Sequence, residues 1–138
     1  MNSLLAQLLL LYPDFEISHR DLQNVESGTL ESVNQLFGKL VAQLPPAVFL
    51  FVVLDGISLY EDPARLDEMR MVIERLRDLA TIDSGSGPVF KLLMTSPTRI
   101  RHLLKSVKKD DVLSVPRDVP GQSGLSVLRN GKVRQEVT

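Results

Sequence analysis

Asp55 closes an unbroken apolar run, Ala47 to Leu54, and Gly56 follows it. A buried strand that delivers a carboxylate to its carboxyl end is how an open α/β sheet offers an oxygen ligand to magnesium, since ligands gather beyond the strand ends. Asp-Gly is also an ordinary turn, and that plain reading stands beside the metal role. Glu61 and Asp62 lie six and seven residues past Asp55, close enough for a second carboxylate to face the same crevice and polarise water as a general base. Asp62 is better used as a helix cap before Pro63, which leaves Glu61 for the base. Thr95, Ser96 and Arg99 come at the end of a second strand-like run, Val89 to Thr95, apolar but for Lys91 and Thr95, where hydroxyls and a guanidinium could meet a terminal phosphate.

These residues need elements to hold them. Ser3–Tyr12 is leucine-rich and predicts a short, mostly buried helix ended before Pro13. Residues 13–26 read as a polar connector. From Leu30 to Leu44 apolar residues recur at three and four, predicting a helix started near Ser27 or Thr29 and stopped by Pro45 and Pro46. The run 47–54 predicts a strand covered on both faces, as in a parallel sheet. Leu66, Met69, Val72, Ile73, Leu76 and Leu79 form one stripe, capped by Asp62 and Pro63, and predict the clearest helix of the chain. Residues 83–88 predict a loop, 89–95 a strand, 98–107 a short basic helix and 111–115 a third strand. Asn130-Gly131 between apolar pairs predicts a hairpin in the tail. The alternation implies an α/β fold, a three-layer α/β/α sandwich on a short, mainly parallel sheet. Residues 1–116 form the α/β domain in this reading, and 117–138 a linker and tail with the possible hairpin.

Composition narrows the function. The 138 residues are 43% hydrophobic with no cysteine and two histidines, which excludes disulfides, thiolate metal sites and a cysteine nucleophile. His19 and His102 stand apart from any acidic or hydroxyl partner at recognisable spacing and read as surface residues. The leucine run near the start is too short to cross a bilayer and lacks a basic leader, so the expected location is the cytoplasm, with no membrane partner. Residues 1–62 carry eight acids against Arg20 and Lys39, whereas 63–109 carry ten bases against five acids. Arg99, Arg101, Lys105, Lys108 and Lys109 cluster, but no aromatic interleaves with them, and a solvated helix face is the simpler reading than a nucleic-acid site.

The strand Val48–Gly56, the long helix after it and the strand Phe90–Arg99 together resemble the Walker B and sensor strands of STAND-class P-loop ATPases, especially the NACHT-like proteins of filamentous fungi. Leu4–Leu9 is similar to the leucine-rich helix that precedes Walker B there, and the resemblance covers residues 3–116. It implies that Asp55 coordinates magnesium and that Thr95, Ser96 and Arg99 sense the terminal phosphate, although Pro97 and Thr98 separate Ser96 from Arg99 where the family often places arginine directly after Thr-Ser. The family's phosphate loop, G-x-x-x-x-G-K-[ST], is absent: the Gly-Lys pairs are Gly38-Lys39, followed by Leu40, and Gly131-Lys132. In the family the loop-bearing strand sits beside the sensor strand, so either 111–115 closes up against 89–95 or sheet edges stay open. The expectation is a truncated STAND-like NTPase fragment that does not hydrolyse ATP by itself, with Mg-ATP bound only if a phosphate loop comes from elsewhere. The alternative is a non-enzymatic interaction module that meets a protein partner through an open sheet edge or the basic helix. An active hydrolase built on Asp55 and Glu61 ranks last, because no positioned nucleophile or anion hole is visible.

Overall fold

The computed structural model describes residues 1–82 and 87–115. Contacts divide the chain into Met1–Val107 and Lys108–Thr138. The first unit holds helices α1 (Asn2–Leu11), α2 (His19–Glu26), α3 (Leu30–Gln43) and α4 (Leu66–Thr81) and strands β1 (Phe49–Leu54) and β2 (Val89–Met94). Among the described residues the second contributes one 3-10 turn, Lys109–Asp111.

Local chemistry sets most boundaries. Tyr12 and Leu44, each before a proline, are extended and end α1 and α3. Thr29 starts α3 by accepting the Ser32 amide on its hydroxyl at 3.2 Å. Asp62 accepts the Ala64 amide on Oδ1 at 2.8 Å, and its carbonyl takes the amides of Arg65 and Leu66, so a preliminary turn precedes the regular α4. The connector expected at 13–26 contains α2. Ser18 caps this helix: its Oγ accepts the Asp21 amide at 3.1 Å and donates to Asp21 Oδ2 at 2.6 Å. Lys39 of α3 then reaches Asp21 at 2.5 Å. That ammonium, the first cause, and the Ser18 hydroxyl hold the Asp21 carboxyl below the usual range. The Gln43 amide fastens the loop before α2, accepting from the Glu16 N–H and donating to the Glu16 carbonyl, both at 2.9 Å.

β1 and β2 pair in parallel, with Phe49 opposite Val89 and Leu54 opposite Met94. They form a two-stranded sheet among the described residues, joined through α4. Because successive side chains alternate, Leu50, Val52, Leu54, Phe90, Leu92 and Met94 share one face. Leu5 and Leu8 of α1, the Val33–Leu44 stripe of α3 and Val72, Leu76 and Leu79 of α4 pack into one core with that face. The opposite face is open: Phe49 is 66% exposed, Phe51 69%, Val53 55% and Leu93 56%. β1 was expected to be covered on both sides, but the described residues supply helices for one side only. α1 is likewise less buried than its leucines suggest, since Leu10 and Leu11 stand in solvent.

Residues 111–115 do not form the expected third strand; Val112, Leu113 and Val115 are exposed. The expected basic helix at 98–107 shrinks to one 3-10 turn, Leu103–Ser106. The hairpin around Asn130-Gly131 and most of the loop at 83–88 lie outside the described residues. No helix among the described residues is long and apolar enough to cross a membrane.

α3 and α4 meet across Gly38. A Cβ there would lie 1.9 Å from Arg75 Nη2 and 2.8 Å from its Cζ, so the guanidinium occupies the space a larger residue would need. Alanine inside a helix is favoured over glycine by about 1 kcal/mol. Gly38→Ala is expected to forfeit that gain by displacing Arg75, and to recover it in the Arg75→Ala background. A double-mutant cycle on urea unfolding should then show about 1 kcal/mol of coupling. Additive effects would mean the guanidinium does not lie over Gly38.

Candidate functional site

The carboxyl ends of the two strands are tied together atom by atom. Thr95 N–H donates to the Leu54 carbonyl at 2.9 Å, and Ile57 N–H donates to the Thr95 carbonyl at 3.0 Å. Between these bonds Gly56 takes a left-handed conformation, φ 70°, which glycine adopts without steric cost. The chain thereby leaves β1 and enters the 3-10 turn Ile57–Tyr60. The Thr95 hydroxyl accepts the Gly56 N–H at 3.3 Å and donates its own proton to Asp55 Oδ1. Asp55 and Thr95, chosen from different segments of the sequence, are thus direct neighbours across adjacent strands.

A small apolar cluster supports this end of the sheet. Ile57, Ile73 and Leu103 are buried, with Leu54, Leu66, Met69, Met94 and Ile100 packed against them. Leu103, fully enclosed, plugs the segment that follows β2 onto α4. Glu61 holds the same segment by its backbone. Its Oε1 accepts the amides of Arg101 at 2.8 Å, His102 at 2.7 Å and Leu103 at 3.0 Å, and its Oε2 accepts Arg101 again at 3.0 Å. Desolvation alone would raise the Glu61 carboxyl, but the amides of Leu103, Arg101 and His102, with a smaller contribution from the His102 charge, together lower it below its ordinary value. A carboxylate so engaged is a weak proton acceptor, and its geometry is that of an anchor.

Ser96 spends its hydroxyl locally, donating to the Thr98 carbonyl at 2.6 Å. Arg99 is exposed, with no hydrogen bond or ion pair among the described residues. Arg101 and Lys105 are exposed as well, while His19 rests against the Gln23 side chain at 3.1 Å. Asp55 and Thr95 therefore come together, the side chains of Ser96 and Arg99 follow them without a hydrogen bond to either, and Glu61 works on the backbone of 101–103. The backbone anchoring by Glu61 was not foreseen from sequence. Neither was Lys91 as the one charged strand residue on the open sheet face, although its interruption of an otherwise apolar strand was a visible signal.

Chemically, the strand ends offer one carboxylate with Oδ1 engaged and a threonine hydroxyl. Among the described residues no group of three or more His, Asp or Glu could enclose a metal ion. Magnesium can be held by one carboxylate when phosphate oxygens and water complete its shell. Asp55 suits that role, but the described residues provide no lysine-bearing glycine loop for the phosphates, so the fit to a magnesium nucleotide is partial. No imidazole is hydrogen-bonded to a hydroxyl or carboxylate side chain among the described residues, and no nucleophile is activated in that way. Compared with protein-family models, curated proteins and solved structures, the chain matches none of them.

Proposed function

We propose that this chain is a non-hydrolysing part of a P-loop-type NTPase fold, of the STAND kind, carrying the magnesium acid and the sensor strand. The observation that supports the reading is the hydrogen bond from Thr95 to Asp55 at the carboxyl ends of adjacent parallel strands. Such a domain needs this juxtaposition, because the metal acid and the phosphate sensor must address the same oxygens. In this reading Asp55 orients toward the metal, Thr95 fixes the Asp55 rotamer, and Ser96 and Arg99 extend the phosphate-facing wall. In this reading the phosphate cradle is supplied elsewhere. Triphosphate carries charge that backbone amides and an ammonium normally offset, and a single wall of the cleft does not supply them.

Purified chain with magnesium and ATP is expected to release phosphate no faster than a protein-free blank, and Asp55→Ala should leave that rate unchanged. Calorimetric titration should detect no micromolar binding of magnesium-ATP. Magnesium-dependent turnover abolished by Asp55→Ala, or micromolar affinity, would sink the proposal.

A further inference from the structure

The two faces of the sheet differ in one respect that bears on what covers them. On the covered face all six strand positions are apolar, and the helices that meet it do so with apolar stripes. The open face presents Phe49, Phe51, Val53, Val89 and Leu93 around a single exposed charge, Lys91, which pairs in register with Phe51. Apolar side chains of this size on a parallel sheet mark a surface that is buried in use. Lys91 decides what can bury it. An ammonium taken out of water without a counter-charge is strongly unfavourable, so the occupant must bring a carboxylate to it.

The dimensions define the occupant further. A six-residue strand spans about 20 Å, and two strands about 4.8 Å apart make a face about one helix wide. The 14-residue α3, about 21 Å long, shows on the covered side what length of helix suits this sheet. A second copy docked face to face would bring two Lys91 ammoniums toward the same dry centre, an arrangement that like-charge repulsion opposes. We infer that the open face of the sheet is a docking site for one amphipathic helix of a partner, about four turns long, whose apolar stripe covers Phe49, Phe51, Val53 and Leu93 and whose acidic residue near mid-length pairs with Lys91. The inference is independent of the nucleotide reading, and its test contains no nucleotide.

The probe is a labelled 18-residue amphipathic peptide with a leucine stripe and one central glutamate, compared by fluorescence anisotropy with the same peptide carrying lysine there. The full chain should bind the glutamate peptide saturably in the micromolar range and the lysine peptide at least about tenfold more weakly. Lys91→Glu should invert that order, while Phe51→Asp should abolish binding of both peptides without changing the far-ultraviolet circular dichroism. Lack of binding by the wild-type chain, or an order that Lys91→Glu does not invert, overturns the inference. So does a dimer seen by sedimentation velocity that Phe51→Asp dissociates, because the occupant would then be a second copy.

Discussion

Leu76→Ala is expected to lower the free energy of unfolding by about 3 kcal/mol, whereas Phe51→Ala should cost no more than about 1 kcal/mol although phenylalanine is the larger residue. The contrast follows from position. Leu76 sits in the middle of α4 at 0% exposure, in the core shared with α1, α3 and the covered sheet face. Truncating it removes buried methyl groups and leaves a cavity that the surrounding helices close only in part. Phe51 is 69% exposed on the open face, so its removal changes little that folding had taken out of water. Urea unfolding midpoints, read with an unchanged slope, would measure both. Equal costs near 3 kcal/mol would mean that the open face is covered within the chain itself, and would remove the basis for a docked partner.

The elements legible in the sequence are those whose pattern is set by burial. α3 and α4 announce themselves because one stripe of each is in the core, and β1 and β2 because each is a short apolar run bounded by turn residues. α2 fully buries no residue and is only eight residues long, so its apolar positions, Leu22 and Val25, were too few to stand out; its further signal was the Ser18–Asp21 capping pair. The stretch 111–115 has the composition of a strand, yet a strand requires a neighbour, and composition does not supply one. Residues 98–107 carry helix-compatible basic side chains, yet only the 3-10 turn Leu103–Ser106 forms there, entered through amides that Glu61 accepts as a cap would. The apolar run 47–54 implied a strand covered on both faces; the strand is there, at Phe49–Leu54, but one of its faces is exposed. The run could not say whether the second face is covered by the same chain, because a strand that buries itself in a partner reads the same way.

At the candidate site the same distinction holds. Asp55 and Thr95 were legible because each terminates a strand, and the parallel pairing puts two strand ends side by side. The role of Glu61 was not legible, since its partners are backbone amides 40 to 42 residues away that carry no side-chain signature.

Glu61→Ala is expected to cost about 2 kcal/mol at neutral pH and to free the segment after β2, because three amides lose a charged acceptor together. Glu61→Gln should cost about half as much, since its carbonyl oxygen still accepts while the charge is gone. The pH dependence separates the two contributions. The folded carboxyl titrates below its ordinary value, so its stabilisation is complete above the unfolded value and is lost as pH falls through the lowered folded one. The gap between wild type and Glu61→Gln should therefore be widest at neutral pH and narrow under acid, on the low side of the usual carboxylate range. Urea unfolding of both proteins across that range measures the gap, and hydrogen exchange at the amides of Arg101, His102 and Leu103 reports the local release directly. In Glu61→Ala these amides should be accelerated more than those within α3 and β1, which follow only the global loss of stability. A gap that stays constant with pH would show that the carboxylate charge contributes nothing to holding the strand-end segment. Unchanged exchange at the three amides would show that Glu61 is not their anchor.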